Sequence, residues 1–212
     1  MKETTKEIFE ELFERYPALV EVRPSVLNAF EMLKTTYAQG GTLYCAGNGG
    51  SSSDCEHIVG ELLKSFKKMR AINEEVAGNL SNYGEDGEYL LSKLEGSLPA
   101  VSLISQTGIL TAFANDKSWD TASAQQLYGL GKKGDCLLVL STSGNSKNCV
   151  YAVLVAKAKG LKTLAFTGES GGKLKGLCDE CVCVPETETY KVQELHLPIY
   201  HCLCAMLEEE IF

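Results

Sequence analysis

The run Thr42-Leu43-Tyr44-Cys45-Ala46-Gly47-Asn48-Gly49-Gly50-Ser51-Ser52-Ser53-Asp54 constrains this chain more than any other stretch. An apolar segment empties into glycines, then hydroxyls, then an amphipathic pattern that continues to Phe66. The order reads as strand, loop, helix. Glycines let a backbone approach a ligand closely or take positive φ, and a helix opening after them offers unpaired N–H groups and the positive end of its dipole. Such a loop is a cradle for an anion. The design returns at Leu137-Leu138-Val139-Leu140-Ser141-Thr142-Ser143-Gly144-Asn145-Ser146. Glycine and serine also make tight turns and helix N-caps, but two such loops at equivalent strand ends favour binding, because ligands of open α/β sheets gather there. Neither loop is a Walker motif, since no Gly-Lys-Ser/Thr follows, and neither has the Gly-x-Gly-x-x-Gly spacing of a dinucleotide site. Two cradles suit a phosphorylated small molecule.

Strand and helix patterns alternate around these loops. Residues 3–16 carry Ile8, Leu12 and Phe13 at helical spacing, and residues 24–38 carry Val26, Leu27, Phe30, Met32 and Leu33. Pro24 suits a first turn and Gly40-Gly41 a stop. Strands are expected at 42–46, 100–105, 136–140, 162–166 and 181–184. Helices are expected at 107–114, 121–130, 146–159 and from 189 onward, with a turn at Asn115-Asp116. Five strands separated by helices predict a parallel sheet covered on both faces, an α/β fold in three layers, α/β/α. Residues 1–40 form an N-terminal helical arm that packs either on another subunit or back on this one, and residues 41–212 form the main domain. Residues 71–97 lose clear pattern and read as an acidic insertion of loop and short helix, either a lid or a solvated surface excursion.

Composition excludes some partners. A net charge of −8 argues against broad binding to nucleic acid or to an anionic membrane, so phosphate must be held by local dipoles and hydroxyls. No run reaches the ~20 apolar residues of a membrane span, and Met1-Lys2-Glu3-Thr4-Thr5-Lys6-Glu7 lacks an apolar signal core. The expected location is the cytoplasm. The nine cysteines are odd in number and mostly sit in apolar runs, as reduced core residues do. Cys178-Asp179-Glu180-Cys181-Val182-Cys183 lacks the second Cys-x-x-Cys pair or histidine partner of a zinc finger, and Cys181 and Cys183 are expected on one face of a strand.

His57 and Glu61 stand four apart on the helix leaving the first cradle and share a face. At that spacing they make half a site for zinc or another borderline divalent ion, or an ordinary surface hydrogen bond. The terminal helix carries Gln193, Glu194, His196 and His201. Gln193 and His201 lie roughly 12 Å apart along a straight helix, which strains a shared ion. Pro198 is expected to kink the helix and shorten that distance; otherwise the two serve sites built with different neighbouring chains. His196, between Leu195 and Leu197, reads as a packing histidine.

Together, Gly47-Asn48-Gly49-Gly50-Ser51, His57 with Glu61, Ser141-Thr142-Ser143-Gly144-Asn145-Ser146, and Val192-Gln193-Glu194-Leu195-His196 followed by His201 resemble the sedoheptulose-7-phosphate (phosphoheptose) isomerases of the sugar-isomerase (SIS) domain superfamily. The resemblance implies a SIS phosphosugar-binding domain, a homotetramer with active sites at subunit interfaces, and one zinc ion per subunit. By match of motif, Asn48, Gly49, Gly50 and Ser51 contact the sugar phosphate, Ser141, Thr142, Ser143 and Ser146 surround the phosphoryl group, and Asn115 and Asp116 face substrate. His57, Glu61, Gln193 and His201 match the zinc ligands, and Glu61 and His201 match the acid/base pair. The implied reaction is aldose–ketose isomerisation through an enediol, from sedoheptulose 7-phosphate to D-glycero-D-manno-heptose 7-phosphate. Two positions depart from the family: Ser65 replaces an Arg, for which Lys64 or Lys67 is a candidate substitute, and Tyr190 replaces an Asp. These keep open an isomerase of another phosphosugar, and a regulator that only binds phosphosugars or proteins remains the rival from another class.

Overall fold

In the computed structural model, which describes residues 1–212, the apolar runs become five strands. They are β1 (Leu43–Ala46), β2 (Ala100–Ser102), β3 (Cys136–Leu140), β4 (Lys162–Thr167) and β5 (Glu180–Cys183). All neighbours pair parallel, in the order β2-β1-β3-β4-β5. β1 leads to β2 on one side while β3 lies on the other, so the β1/β3 boundary is the topological switch point where such sheets bind ligands. The register Ala46↔Val139 brings the two glycine- and serine-rich loops out at neighbouring strand ends.

Alternation along the strands divides the core. Leu43, Cys45, Cys136, Leu138, Leu140, Leu164 and Phe166 face the larger cluster, while Tyr44, Ala46, Leu137, Val139 and Ala165 face the smaller one. The larger layer holds α1 (Glu3–Arg15), α2 (Arg23–Ala38), α3 (Gly50–Leu63) and α10 (Thr189–Ile211). The smaller holds α7 (Ala122–Leu130), α8 (Lys147–Ala158) and α9 (Gly172–Leu177). The expected three-layer α/β/α sandwich is therefore present. No helix is long and apolar enough to cross a membrane. Cys181 and Cys183 share a face of β5, with sulfurs 3.5 Å apart, and all nine thiols are free.

The N-terminal arm folds back on its own chain. Phe9, Leu12 and Phe13 enter the larger core, and the Lys2 backbone N–H and the Thr5 hydroxyl both donate to Glu210 on the last helix. Residues 71–97 form α4 (Glu74–Leu80) and α5 (Gly84–Leu91), which pack mainly on each other through a turn at Ser81–Tyr83.

Several boundaries differ from expectation. β2 stops at Ser102, and Asn115-Asp116 are not a turn but the last residues of α6 (Thr107–Asp116), whose chain turns only at Lys117. α9 was not anticipated, because Gly-Lys-Leu-Lys-Gly-Leu reads locally as loop. α10 runs unbroken through the buried Pro198, whose missing N–H leaves the Glu194 carbonyl without its intrahelical donor.

Candidate active site

The site is a seam between α3 and α10, which run side by side in the same direction. Gly50 meets Gln193, and His57 meets Tyr200, the same offset of 143 residues in both places. A Cβ on Gly50 would lie 2.7 Å from Gln193 Oε1, so glycine is what lets the amide lie against the start of α3. Gly50, Asp54, His57 and Glu61 follow i, i+4, i+7, i+11 spacing and form one stripe.

At the far end of the seam His57 Nε2 lies 3.3 Å from Glu61 Oε1, and Lys64 donates to Glu61 Oε2 at 3.0 Å. The His201 ring stands edge-on to His57 with centroids 4.9 Å apart, and its buried Nε2 has no partner. Burial, and then the nearby His57, hold the His201 imidazole below its ordinary pKa. Three of the four expected metal-binding residues are therefore neighbours here, without closing on one point. Gln193 stands level with Gly50 instead, seven residues before His57 or about 10 Å along the helix axis. No three His, Cys, Asp or Glu side chains in the chain converge as a metal centre. The donors themselves, two imidazoles, a carboxylate and an amide, with an orphaned ring nitrogen among them, fit a borderline divalent ion in kind.

The cradles flank this seam. α3 follows Gly49 and α8 follows Ser146, and neither helix is capped by a side chain, so the hydroxyls of both loops are not spent on N-capping. Ser141 donates to Ser146 Oγ at 3.0 Å, and Ser143 Oγ accepts the Asn145 N–H. Gly144 has φ +65°, and a Cβ there would sit 2.1 Å from the Gly171 carbonyl oxygen. That close approach ties the second loop to α9. Asn48 and Asn148 exchange two amide hydrogen bonds of 2.9 and 2.8 Å, locking one cradle to the other. Asn148 was not anticipated; its only signal was an amide among the apolar residues of a helix start. Thr142 is half-buried and Ser51 buried, while Asn115 and Asp116 bond each other, exposed on α6 beside the turn Trp119–Thr121 and α7.

The departure at Ser65 is absorbed locally. Ser65 accepts the Arg70 N–H and donates its own N–H to Glu95, which closes the insertion onto the end of α3. Lys64 reaches Glu61, whereas Lys67 joins Arg15 and His201 around a cavity of about 290 Å³ between α1 and α10. Arg15, an ordinary last-turn base of the arm in sequence, becomes a neighbour of the site only through folding.

A SIS-domain family profile matches residues 9–168. The chain is 39% identical over 175 residues to a phosphoheptose isomerase of Burkholderia pseudomallei, covering 82% of this chain and 76% of that one. A phosphoheptose isomerase of Nitratiruptor is 39% identical over 163 residues, 77% of this chain and 74% of the relative. Among solved structures, a phosphoheptose isomerase from Francisella tularensis superposes with TM-score 0.75 at 27% identity, covering 99% of this chain and all of that one. One from Neisseria gonorrhoeae gives 0.71 at 28% identity, covering 97% and 94%. With the sheet order, both cradles and the α3–α10 seam in place, the chain belongs to the SIS-domain family and, within it, to the phosphoheptose isomerases, a family of isomerase enzymes.

Proposed function

We propose that the protein interconverts a ketose phosphate and an aldose phosphate, taking sedoheptulose 7-phosphate to D-glycero-D-manno-heptose 7-phosphate through an enediol. The observation that carries this reading is that Glu61, His57 and His201 are neighbours at one end of a seam whose helix α3 leaves a phosphate-type cradle. Isomerisation needs a base to take the C1 proton, an acid at the C2 carbonyl oxygen, and return of the proton to C2. Glu61 is the base, its carboxylate held by Lys64 and standing beside His57. His201 is the acid. Its lowered pKa leaves the ring neutral near pH 7, able to donate from one nitrogen and accept at the other, as the enediol steps require. Asn48, Gly49, Gly50 and Ser51 bind the sugar phosphate, Ser141, Thr142, Ser143 and Ser146 surround the phosphoryl group, and Asn115 and Asp116 face the substrate. His57, Glu61 and His201 would hold zinc, with Gln193 completing the set from a neighbouring subunit of the proposed tetramer; when bound, the ion supplies a Lewis acid for the carbonyl. The working form in this proposal is a cytoplasmic homotetramer with sites at subunit interfaces.

Proton exchange and product formation followed by NMR in deuterated water, with zinc and sedoheptulose 7-phosphate, test the assignment. The wild type is expected to give heptose product with deuterium beside the carbonyl, and Glu61→Gln and His201→Ala each to lose about 100-fold or more of the exchange rate. Phosphosugar binding without exchange would replace the isomerase by a binding module. Exchange on another ketose phosphate only would keep the reaction and change the sugar, as Ser65, Tyr190 and the insertion permit.

A further inference from the structure

Behind the zinc-type residues lie the buried Tyr200 and the half-buried Asp54, to which the reaction assigns no role. Tyr200, 2% exposed, donates its hydroxyl proton to Asp54 Oδ1 at 3.3 Å, and the Tyr200 hydroxyl oxygen stands 2.9 Å from His57 Nδ1. Asp54 Oδ2 is buried without a partner, so Tyr200 supplies the only side-chain hydrogen bond its carboxylate receives. An ionised carboxylate only accepts hydrogen bonds. The Tyr200 proton therefore points at Asp54, and the phenol oxygen has lone pairs alone to offer His57. A hydrogen bond between the two then requires an N–H at His57 Nδ1, which in a neutral ring leaves Nε2 bare.

We propose that Tyr200, oriented by Asp54, is a positioning residue that fixes His57 in its Nδ1–H tautomer and so aims the Nε2 lone pair at the space beside Glu61. The consequence is electrostatic. Nε2 and Glu61 Oε1, 3.3 Å apart, then both present lone pairs to the same gap, and only a positive species between them relieves the repulsion. A divalent ion of the borderline class is such a species, and an outer partner that fixes a ligand histidine's tautomer strengthens metal binding. The inference rests on the proposed role of His57 as a ligand, but its first readout requires no metal.

The chain contains three histidines, so ¹⁵N-histidine labelling gives a simple spectrum. Two-bond ¹H–¹⁵N correlations on metal-free protein are expected to show wild-type His57 protonated at Nδ1. Tyr200→Phe keeps the ring and removes the hydroxyl; it should move His57 toward the Nε2–H form and weaken zinc binding, read by competition with a chromophoric chelator, by roughly tenfold or more. Asp54→Asn, whose amide can donate to Tyr200, should shift the tautomer the same way. Circular dichroism controls for folding, and if neither variant folds the wild-type tautomer decides alone. A wild-type Nε2–H ring, or a folded Tyr200→Phe with unchanged tautomer and zinc affinity, overturns the proposal. A tautomer that depends on Tyr200 in a protein that binds no zinc would uphold the relay and remove the metal from the proposed function.

Discussion

His196 is fully buried in α10, its Nε2 3.2 Å from the Thr167 carbonyl oxygen and its Nδ1 without a partner. Burial outweighs that one hydrogen bond and brings the imidazole down to about 4. In the unfolded chain it would titrate near ~6.5. Above that pH both states hold a neutral ring and the group is silent. As pH falls from about 6.5 to about 4, the unfolded chain takes up a proton that the folded one refuses, and stability drops, by about 3 kcal/mol once both values are passed. Urea unfolding at pH 7.5 and 4.5 should show a smaller acid loss for His196→Gln than for the wild type; equal losses would acquit His196. That this histidine packs was readable from its leucine neighbours. That Asp54 and Tyr200 flank His57 was not, since an aspartate and a tyrosine 146 positions apart carry no local sign of contact.

At the scale of elements, the α3–α10 seam is held at its far end by Arg70 and Glu208, both essentially excluded from solvent. Arg70 donates to Glu208 Oε1 at 2.7 Å and to the carbonyls of Leu62 and Glu61, which end α3 without intrahelical donors. Glu208 also accepts the N–H groups of Phe66, Lys67 and Lys68. Burial alone would raise its carboxyl, but these backbone bonds and Arg70 carry it below the usual range. Removing one partner strands a buried charge, so Arg70→Met or Glu208→Gln should cost about 3–5 kcal/mol in urea unfolding. The paired replacement Arg70→Met with Glu208→Leu should cost much less. Equal costs for single and paired variants would contradict this account. The stripe Gly50-Asp54-His57-Glu61 was legible as one helix face; its partner was not, because the clamp and the parallel docking of α10 join residues about 140 apart. Asn115-Asp116 read as a turn and residues 172–177 carry no helix signal, because polar and glycine-containing segments are ambiguous locally and packing on α7 and on Gly144 decides them.

At the scale of the molecule, Leu63, Tyr190 and Leu197 are 46%, 56% and 40% exposed on the two seam helices. A neighbouring subunit of the proposed tetramer would cover such side chains. The proposed homotetramer makes this concrete: light scattering after size exclusion should give about four times 23.0 kDa, and Leu197→Glu should lower both mass and activity. A fully active monomer would sink the interface site.

The chain's local patterns were enough to set the strand–helix alternation, the five-stranded parallel sheet, both cradles, and His57 with Glu61 on one face, because each depends on periodicity or on glycines within a few residues. Only the tertiary structure decided that the N-terminal arm folds onto its own α10, that His201 rather than Gln193 meets His57, and that Asn148, Arg70, Glu208 and Tyr200 stand behind the site. Those are contacts between distant segments. Their partners are selected by the packing of whole helices on a sheet, which no short stretch of sequence encodes.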